Sequence, residues 1–411
     1  MKKLTLLTLC LFGILSHPRL ALAYLDGQPE VPVLVQKADV ICIAKVVSIK
    51  QVTATKFEAN HGGPYGPPVL IDAQSAVAEV TVQSVLKGNM SQKSIEVAFF
   101  KNAAVRSNPF APSPFTELAV EETDILFLKT TDDETHFTLS QPSSYGKSKI
   151  AIGDAKISPI PATTPPLRAV LLTLTDGLVS GSKPVKMECL DRIGSAGFLL
   201  YAKAGVYVDE GAVARRSALG EPLMADGVLF SLEDFILARV LPTVLKLTTD
   251  KDADLRNQAV LAAGRLQDVD VIPALAKIAD KQYQPGMLGM AADVFSNYRN
   301  PSATRALVGI LSDSNPNVRS QAAYSLRESA DPVAVPFLLD HLDDPDANAR
   351  YSIVAALFMA TDTPLCPGPA IFHAKEDEYI SFCKKWAVDH QDKVATLREQ
   401  FLAPLPTKAV H

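Results

Sequence analysis

Four short stretches decide the fold: VLPTV at 240–244, VIPAL at 271–275, ATRAL at 303–307 and AVPFL at 334–338. Their third residues, Pro242, Pro273, Arg305 and Pro336, are spaced 31, 32 and 31 apart. Fourteen residues after each stand Arg256, Met287, Arg319 and Arg350. Two independent series hold one register through four units, which is the signature of a repeat architecture.

Each unit reads as a helical hairpin. Proline in the first turn of the first helix suits a position whose N–H has no partner within the helix. A short Asp/Asn-rich turn follows, as at Asp250–Asp254, Asp313–Asn317 and Asp343–Asp346. The second helix then carries one apolar stripe, for example Leu255, Ala259, Ala262 and Leu266, spaced 4, 3 and 4. One hairpin cannot hide its apolar face, but stacked neighbours can. These features resemble the short HEAT-repeat class, often called phycobilisome-lyase-like. The Asp-x5-Arg spacing supports the resemblance: Asp250 with Arg256, Asp313 with Arg319, Asp344 with Arg350. The second unit departs from it, with Lys281 and Met287 in those places. The resemblance covers about 236–361 and implies an α-solenoid with a long protein-binding surface.

Outward from the repeats, residues 167–235 read as a degenerate helical or capping region. Residues 362–411 read as a capping helix and tail. Over 375–401 the pattern predicts one amphipathic helix, with Tyr379, Phe382 and Trp386 on the face that covers the last repeat. Residues 158–166 (SPIPATTPP) hold four prolines and read as an extended linker.

Residues 24–157 have strand character. Asp39–Thr53, Ala76–Leu86, Ser94–Phe100, Asp124–Lys129, Phe137–Ser140 and Lys149–Ile152 are rich in β-branched residues or alternate with period two. Gly/Pro/Ser clusters at 61–68, 108–114 and 141–146 punctuate them. Six short antiparallel strands predict a small closed barrel. The order KADVICIAKVVSI, VAEVTVQSVLKG, a strand, then ETDILFLKTTDD is similar to the netrin/TIMP-like variant of the OB barrel. In inhibitors of that superfamily an N-terminal cysteine reaches a metalloprotease zinc. Here Tyr24 would begin the mature chain, and no cysteine lies between it and Cys42. The expected fold is thus an antiparallel OB-like barrel followed by a HEAT-type solenoid.

Residues 1–23 read as a secretory signal peptide. Lys2 and Lys3 precede the uncharged run Leu4–Leu15, and Ala21-Leu22-Ala23 places cleavage before Tyr24. Twelve residues are too few to span a bilayer, which takes about twenty. Loss of this segment moves the net charge from −5 to −8. The mature chain is therefore expected in the periplasm or medium, with no membrane span. The acidic balance, without interleaved basic and aromatic residues on the strands, argues against nucleic acid.

Reactive chemistry is sparse in the sequence. The Asp250-x-Asp-x-Asp254 run lacks the glycine and the position-12 glutamate of a calcium loop, so capping of the next helix is the expectation. Glu121 and Glu122 are adjacent in an expected strand and point to opposite faces. Cys366 and Cys383 form a disulfide or stay as thiols, or with His373 and His390 they complete a zinc site; the C-x6-H spacing occurs twice. Cys42 and Cys189 have apolar neighbours and read as buried thiols. No G-x-S-x-G, H-E-x-x-H or P-loop pattern is present. No catalytic residue, cofactor or metal is expected. The first expectation is an exported scaffold with an unidentified protein partner. The alternatives are a bilin-lyase-like enzyme, or an inhibitor or ligand-binding role for the barrel.

Overall fold

The computed structural model describes residues 31–59, 69–102, 116–131, 136–140, 148–196, 235–266, 268–278, 294, 301–364 and 366–404. The expected signal segment, the three Gly/Pro/Ser loops, most of 197–235, Lys281 and Met287 lie outside them. The chain parts into two compact units: residues 1–153 with 160–167, and residues 154–159 with 168–411.

The first unit begins with helix α1, Val31–Lys37. Six strands follow: β1 (Val40–Ala59), β2 (Val69–Lys87), β3 (Ser94–Asn102), β4 (Thr123–Thr130), β5 (His136–Leu139) and β6 (Lys149–Ala151). All six lie where the β-branched runs predict strands, and β1 and β2 run longer. Helix α1 departs from expectation, because its valines read as strand. Tertiary contact overrides that preference: Val31 and Leu34 are fully buried. The Lys87 ammonium donates to the carbonyls of Val35 (2.8 Å) and Ala38 (2.6 Å) at the helix end. A cation there satisfies carbonyls that the helix leaves without partners. Burial pushes the Lys87 pKa below its ordinary value.

The strand pairings run β1–β2–β3–β5–β4 and return to β1 through a β1–β4 ladder. Strand β6 adds to β4. Contrary to the all-antiparallel expectation, β3 and β5 pair in parallel. The reason is parity: five strands in a ring cannot all alternate direction, so one parallel pair is forced. Strand β4 has partners on both edges, and its Ile125–Leu128 run is wholly buried. On β2 the expected alternation holds, with Ala76, Ala78 and Val80 facing the core. Glu121 and Glu122 sit in a turn ahead of β4, not in a strand. Glu121 takes φ 71, and its N–H and the Glu122 carbonyl bond Val46 on both sides. The two carboxylates diverge, Glu121 to Lys45 (2.5 Å) and Glu122 to Lys149 (2.5 Å).

In the second unit, helices α2 (Pro166–Ser180) and α3 (Lys183–Ala196) form a hairpin. Residues 154–159 lie along it through hydrogen bonds from the Ser182 N–H to Asp154 and from the Ser158 N–H to Asp176. After a turn at Ile236–Val240 come α4 (Leu241–Leu247), α5 (Ala253–Arg265), α6 (Ile272–Ile278), α7 (Pro301–Ile310), α8 (Pro316–Ser329), α9 (Val335–Asp340) and α10 (Ala347–Ala360). Among the described residues, α4/α5, α7/α8 and α9/α10 are the expected hairpins; the second helix of the unit begun by α6 falls largely outside them. Pro242, Pro273 and Pro336 are each the second residue of their helix. Helix α3 stacks on α5 as α8 stacks on α10. Its Lys186 N–H bonds the Ser182 carbonyl just as Arg256, Arg319 and Arg350 bond Asp252, Asn315 and Asp346. The α2/α3 pair is thus a further hairpin of the stack, hidden in the sequence because Ser180 and Lys186 stand where the Asp-x5-Arg motif has its Asp and Arg.

The end of the stack corrects another expectation. After α11 (Pro369–Ala374), the one helix expected over 375–401 is replaced by two, α12 (Glu376–Asp389) and α13 (Gln391–Leu402). Tyr379 and Phe382 meet Phe358 of α10, with ring centroids 6.2 and 5.5 Å away. The fully buried side chain of α12 is however Cys383. The break at His390 turns α13 back over α9, so a straight helix would have left that surface bare.

Gly88, at the exit of β2, takes φ +83, and a Cβ there would lie 2.7 Å from the Asp39 carbonyl oxygen. Gly88→Ala is expected to destabilise the sheet by about 2 kcal/mol. Faster amide hydrogen exchange across β1 and β2, with the repeats unchanged, checks this.

Candidate functional site

The Asp/Asn-rich turns build one hydrogen-bond device three times. The carboxylates of Asp250, Asp313 and Asp344 each accept the N–H two residues on, at 2.8 Å. The side chains of those next residues, Asp252, Asn315 and Asp346, then cap the second helix by accepting N–H groups from its first turn. Such caps satisfy donors that a helix leaves unpaired. Finally the arginine of each Asp-x5-Arg motif reaches back to the backbone carbonyl of the same Asp: Arg256 to Asp250 (2.7 Å), Arg319 to Asp313 (2.8 Å) and Arg350 to Asp344 (2.6 Å). The motif therefore closes the turn through a carbonyl rather than as an ion pair within its own unit.

The ion pairs run between units. Arg319 grips the carboxylate of Asp344 in the next unit with two bonds, at 2.7 and 2.8 Å. The Asp344 side chain is 3% exposed. Burial alone would raise its pKa, but the Arg319 guanidinium and the Asp346 N–H hold it below the ordinary value. Arg350 makes the matching bond to Glu376 of α12, so the cap continues the ladder. At the other end, Lys183 of α3 bridges Asp252 (2.6 Å) and Asp254 (2.9 Å). The run once comparable to a calcium loop thus caps α5 and binds a lysine.

Beside this ladder, Tyr324 of α8 and the half-buried Tyr351 of α10 stand near one another, and Met359 is exposed near the C-terminal end of α10. Tyr324 is 36% and Met359 47% exposed. The Arg327 guanidinium lies 5.7 Å from the Tyr324 ring centroid. Burial, then the neighbouring Glu328 carboxylate, raises the Tyr324 pKa, and Tyr351 of α10 stands near enough to add to the effect. Tyr351 in turn packs on Phe372 and His373 of α11, at 5.5 and 6.2 Å. Ser320 and Ser352 join the two helices at 2.9 Å. Tyrosine, arginine and methionine are residues that protein interfaces favour.

The cysteine and histidine quartet is not brought together. His390 stacks on Trp386 at 4.4 Å, and His373 lies by Phe372. Among the described residues, no three or more His, Cys, Asp or Glu side chains converge to hold a metal. Cys42 and Cys189 are fully buried, as their neighbours predict, and burial pushes both pKa values up to about 12. Cys366 and Cys383 are thiols here; burial, then the nearby Cys366, pushes Cys383 up to about 12. Cys383 borders a void of about 10 Å³ with Thr361, Thr363 and Trp386, the size of one water. Among the described residues no helix is long and apolar enough to cross a membrane. The sequence reading missed the inter-unit direction of the ladder; the 25-residue spacing from Arg319 to Asp344 was its available signal.

A family model described as HEAT repeats matches residues 285–357. No curated protein matches the chain. Among solved structures, the karyopherin Kap121p, crystallised with the extreme C-terminus of the protein phosphatase Cdc14p, is similar at 16% identity and a TM-score of 0.22. That match covers 58% of this chain, which spans 31% of the karyopherin chain.

Two outcomes follow from the ladder. Arg319→Ala leaves Asp344 buried without its counter-charge and is expected to cost about 3 kcal/mol, seen as a lower denaturant midpoint. Arg319→Met with Asp344→Leu removes both charges and is expected to recover most of that loss. Because the Asp344 carboxyl is held low, the pair contributes fully at neutral pH and fades as the pH falls through its folded-state value. Asp344→Asn is therefore expected to flatten the acid side of the Tm-against-pH curve.

Proposed function

We propose that the protein is an exported, non-enzymatic scaffold that holds another protein on its solenoid surface, a reading supported by the HEAT-repeat match over residues 285–357. One observation carries this reading: the exposed Tyr324, with the half-buried Arg327 and Tyr351 beside it, rests on stacked helices that the Arg319–Asp344 bridge fixes. Rigid support lowers the entropy lost on binding, and aromatic anchors supply contact at little rotamer cost. The partner is a protein. The net charge of −5 gives nucleic acid no electrostatic attraction.

The signal-like N-terminus, Lys2 to Ala23, supports export. A disulfide between Cys366 and Cys383 belongs to the same reading, since an oxidising compartment favours it. The return of the strand pairings to β1, with the single parallel pair, supports an OB-like barrel in the first unit. The bilin-lyase-like alternative has no support from the side chains on the exposed face.

The test is cross-linking with mass spectrometry on the tagged full chain expressed in its native cell. Cross-links to one partner should map to α8 and α10. Tyr324→Ala with Tyr351→Ala should lower partner recovery at least tenfold without lowering Tm by more than a few degrees. Equal recovery from the double variant would overturn the reading. N-terminal sequencing of the extracytoplasmic chain should start at Tyr24.

A further inference from the structure

From Glu376 to Leu402 the sequence contains neither glycine nor proline. No glycine or proline ends a helix at residue 390, and the amphipathic pattern runs through it; the local contacts at the break are those of the His390 ring, which bonds the Trp386 carbonyl at 2.9 Å and stacks on its indole. The structure nonetheless breaks there: His390 takes φ −125 and ψ 29 and is the one residue between α12 and α13. The break is held from outside the segment as well. Phe401 packs on Phe337 of α9, with centroids 4.0 Å apart. Arg398 donates to both carboxylate oxygens of Asp340 at 2.9 Å and to the Pro336 carbonyl at 3.2 Å. Arg305 of α7 lies over the Phe401 ring and donates to the Ala403 carbonyl.

These contacts are few and wet. Leu397 is the one buried side chain of α13. Arg398 and Asp340 remain 41% and 49% exposed. Local preference and tertiary docking thus oppose each other at His390. Straightening the hinge would project α13 beyond its own stack, where it cannot reach its own α9. An identical α7/α9 surface on another copy offers the same contacts.

We propose that α13 is an exchangeable arm: with His390 in helical conformation, Glu376–Leu402 forms one continuous helix and docks on the α7/α9 surface of a second copy, giving a symmetric swapped dimer. Each copy gives and receives one arm, so the contacts close in pairs. In the monomer the short tether keeps the arm at a high effective concentration, so exchange grows on concentrating the protein.

The hinge residue is the lever. Alanine favours a continuous helix over glycine by about fivefold per hinge, hence about 25-fold per dimer with two hinges. The full chain carrying His390→Ala should show more dimer than wild type by light scattering, and His390→Gly less. The geometry is read by placing cysteines at Phe337→Cys and Phe401→Cys in isotopically light and heavy copies, mixed, concentrated and oxidised. Light–heavy 337–401 peptides should appear, enriched by His390→Ala. Wild type with the two cysteines gives the same readout should His390→Ala misfold. Only light–light and heavy–heavy peptides at the highest soluble concentration, or a dimer that persists with Arg398→Ala and Phe401→Ala, would overturn the proposal.

Discussion

The helical half depends on a guanidinium that serves two turns at once. Arg319 closes its own turn by donating to the Asp313 carbonyl, and with its remaining donors it grips Asp344 in the next unit. A planar fork with five donors can do both; an ammonium is a single point charge without that fork. The consequence is register. Hydrophobic burial between α8 and α10 rewards contact area and is non-directional. The paired bonds fix which turn of one helix meets which turn of the other. The exposed Tyr324 and the half-buried Tyr351 therefore stand at set positions relative to one another.

The same division of labour recurs at the ends of the stack. Lys183 reaches Asp252 and Asp254 at one end, and Arg350 reaches Glu376 at the other. Lys183 and Glu376 stand outside the motif, yet each places a cation or an anion where the neighbouring turn offers its opposite. Terminal elements of a solenoid differ from its interior because one side has no neighbour to stack on. Here the C-terminal side is covered by aromatic rings around Phe358 and by Cys383.

The strand-rich unit obeys a different constraint. An odd number of strands in a closed circuit must contain a parallel neighbour pair, and β3 with β5 is that pair. The pair is short, three residues, as suits the join where the circuit meets. Strand β4 carries the cost of closure: it serves β1 on one edge and both β5 and β6 on the other. Its residues Ile125–Leu128 are accordingly apolar without alternation, because neither of its faces meets water.

Periodicity by itself determined the strands, the hairpins, the prolines at helix starts and the arginines after the turns. These are local matters: a period of two or 3.6, a fixed φ at proline and a donor without a partner are properties of a few adjacent residues. Where α1 forms, which carboxylate Arg319 takes and where the last helix breaks were decided only in three dimensions. The valines of α1 prefer a strand until Lys87 meets the carbonyls at the helix end. Arg319 has Asp313 six residues before it and Asp344 twenty-five after it, and only stacking places the second carboxylate within 2.7 Å. At His390 the local contact with Trp386 is joined by Phe337, Asp340 and Arg305, which hold α13 and which only the folded stack supplies. Each of these outcomes depends on partners that the chain brings close only after its hairpins have stacked and its strands have paired.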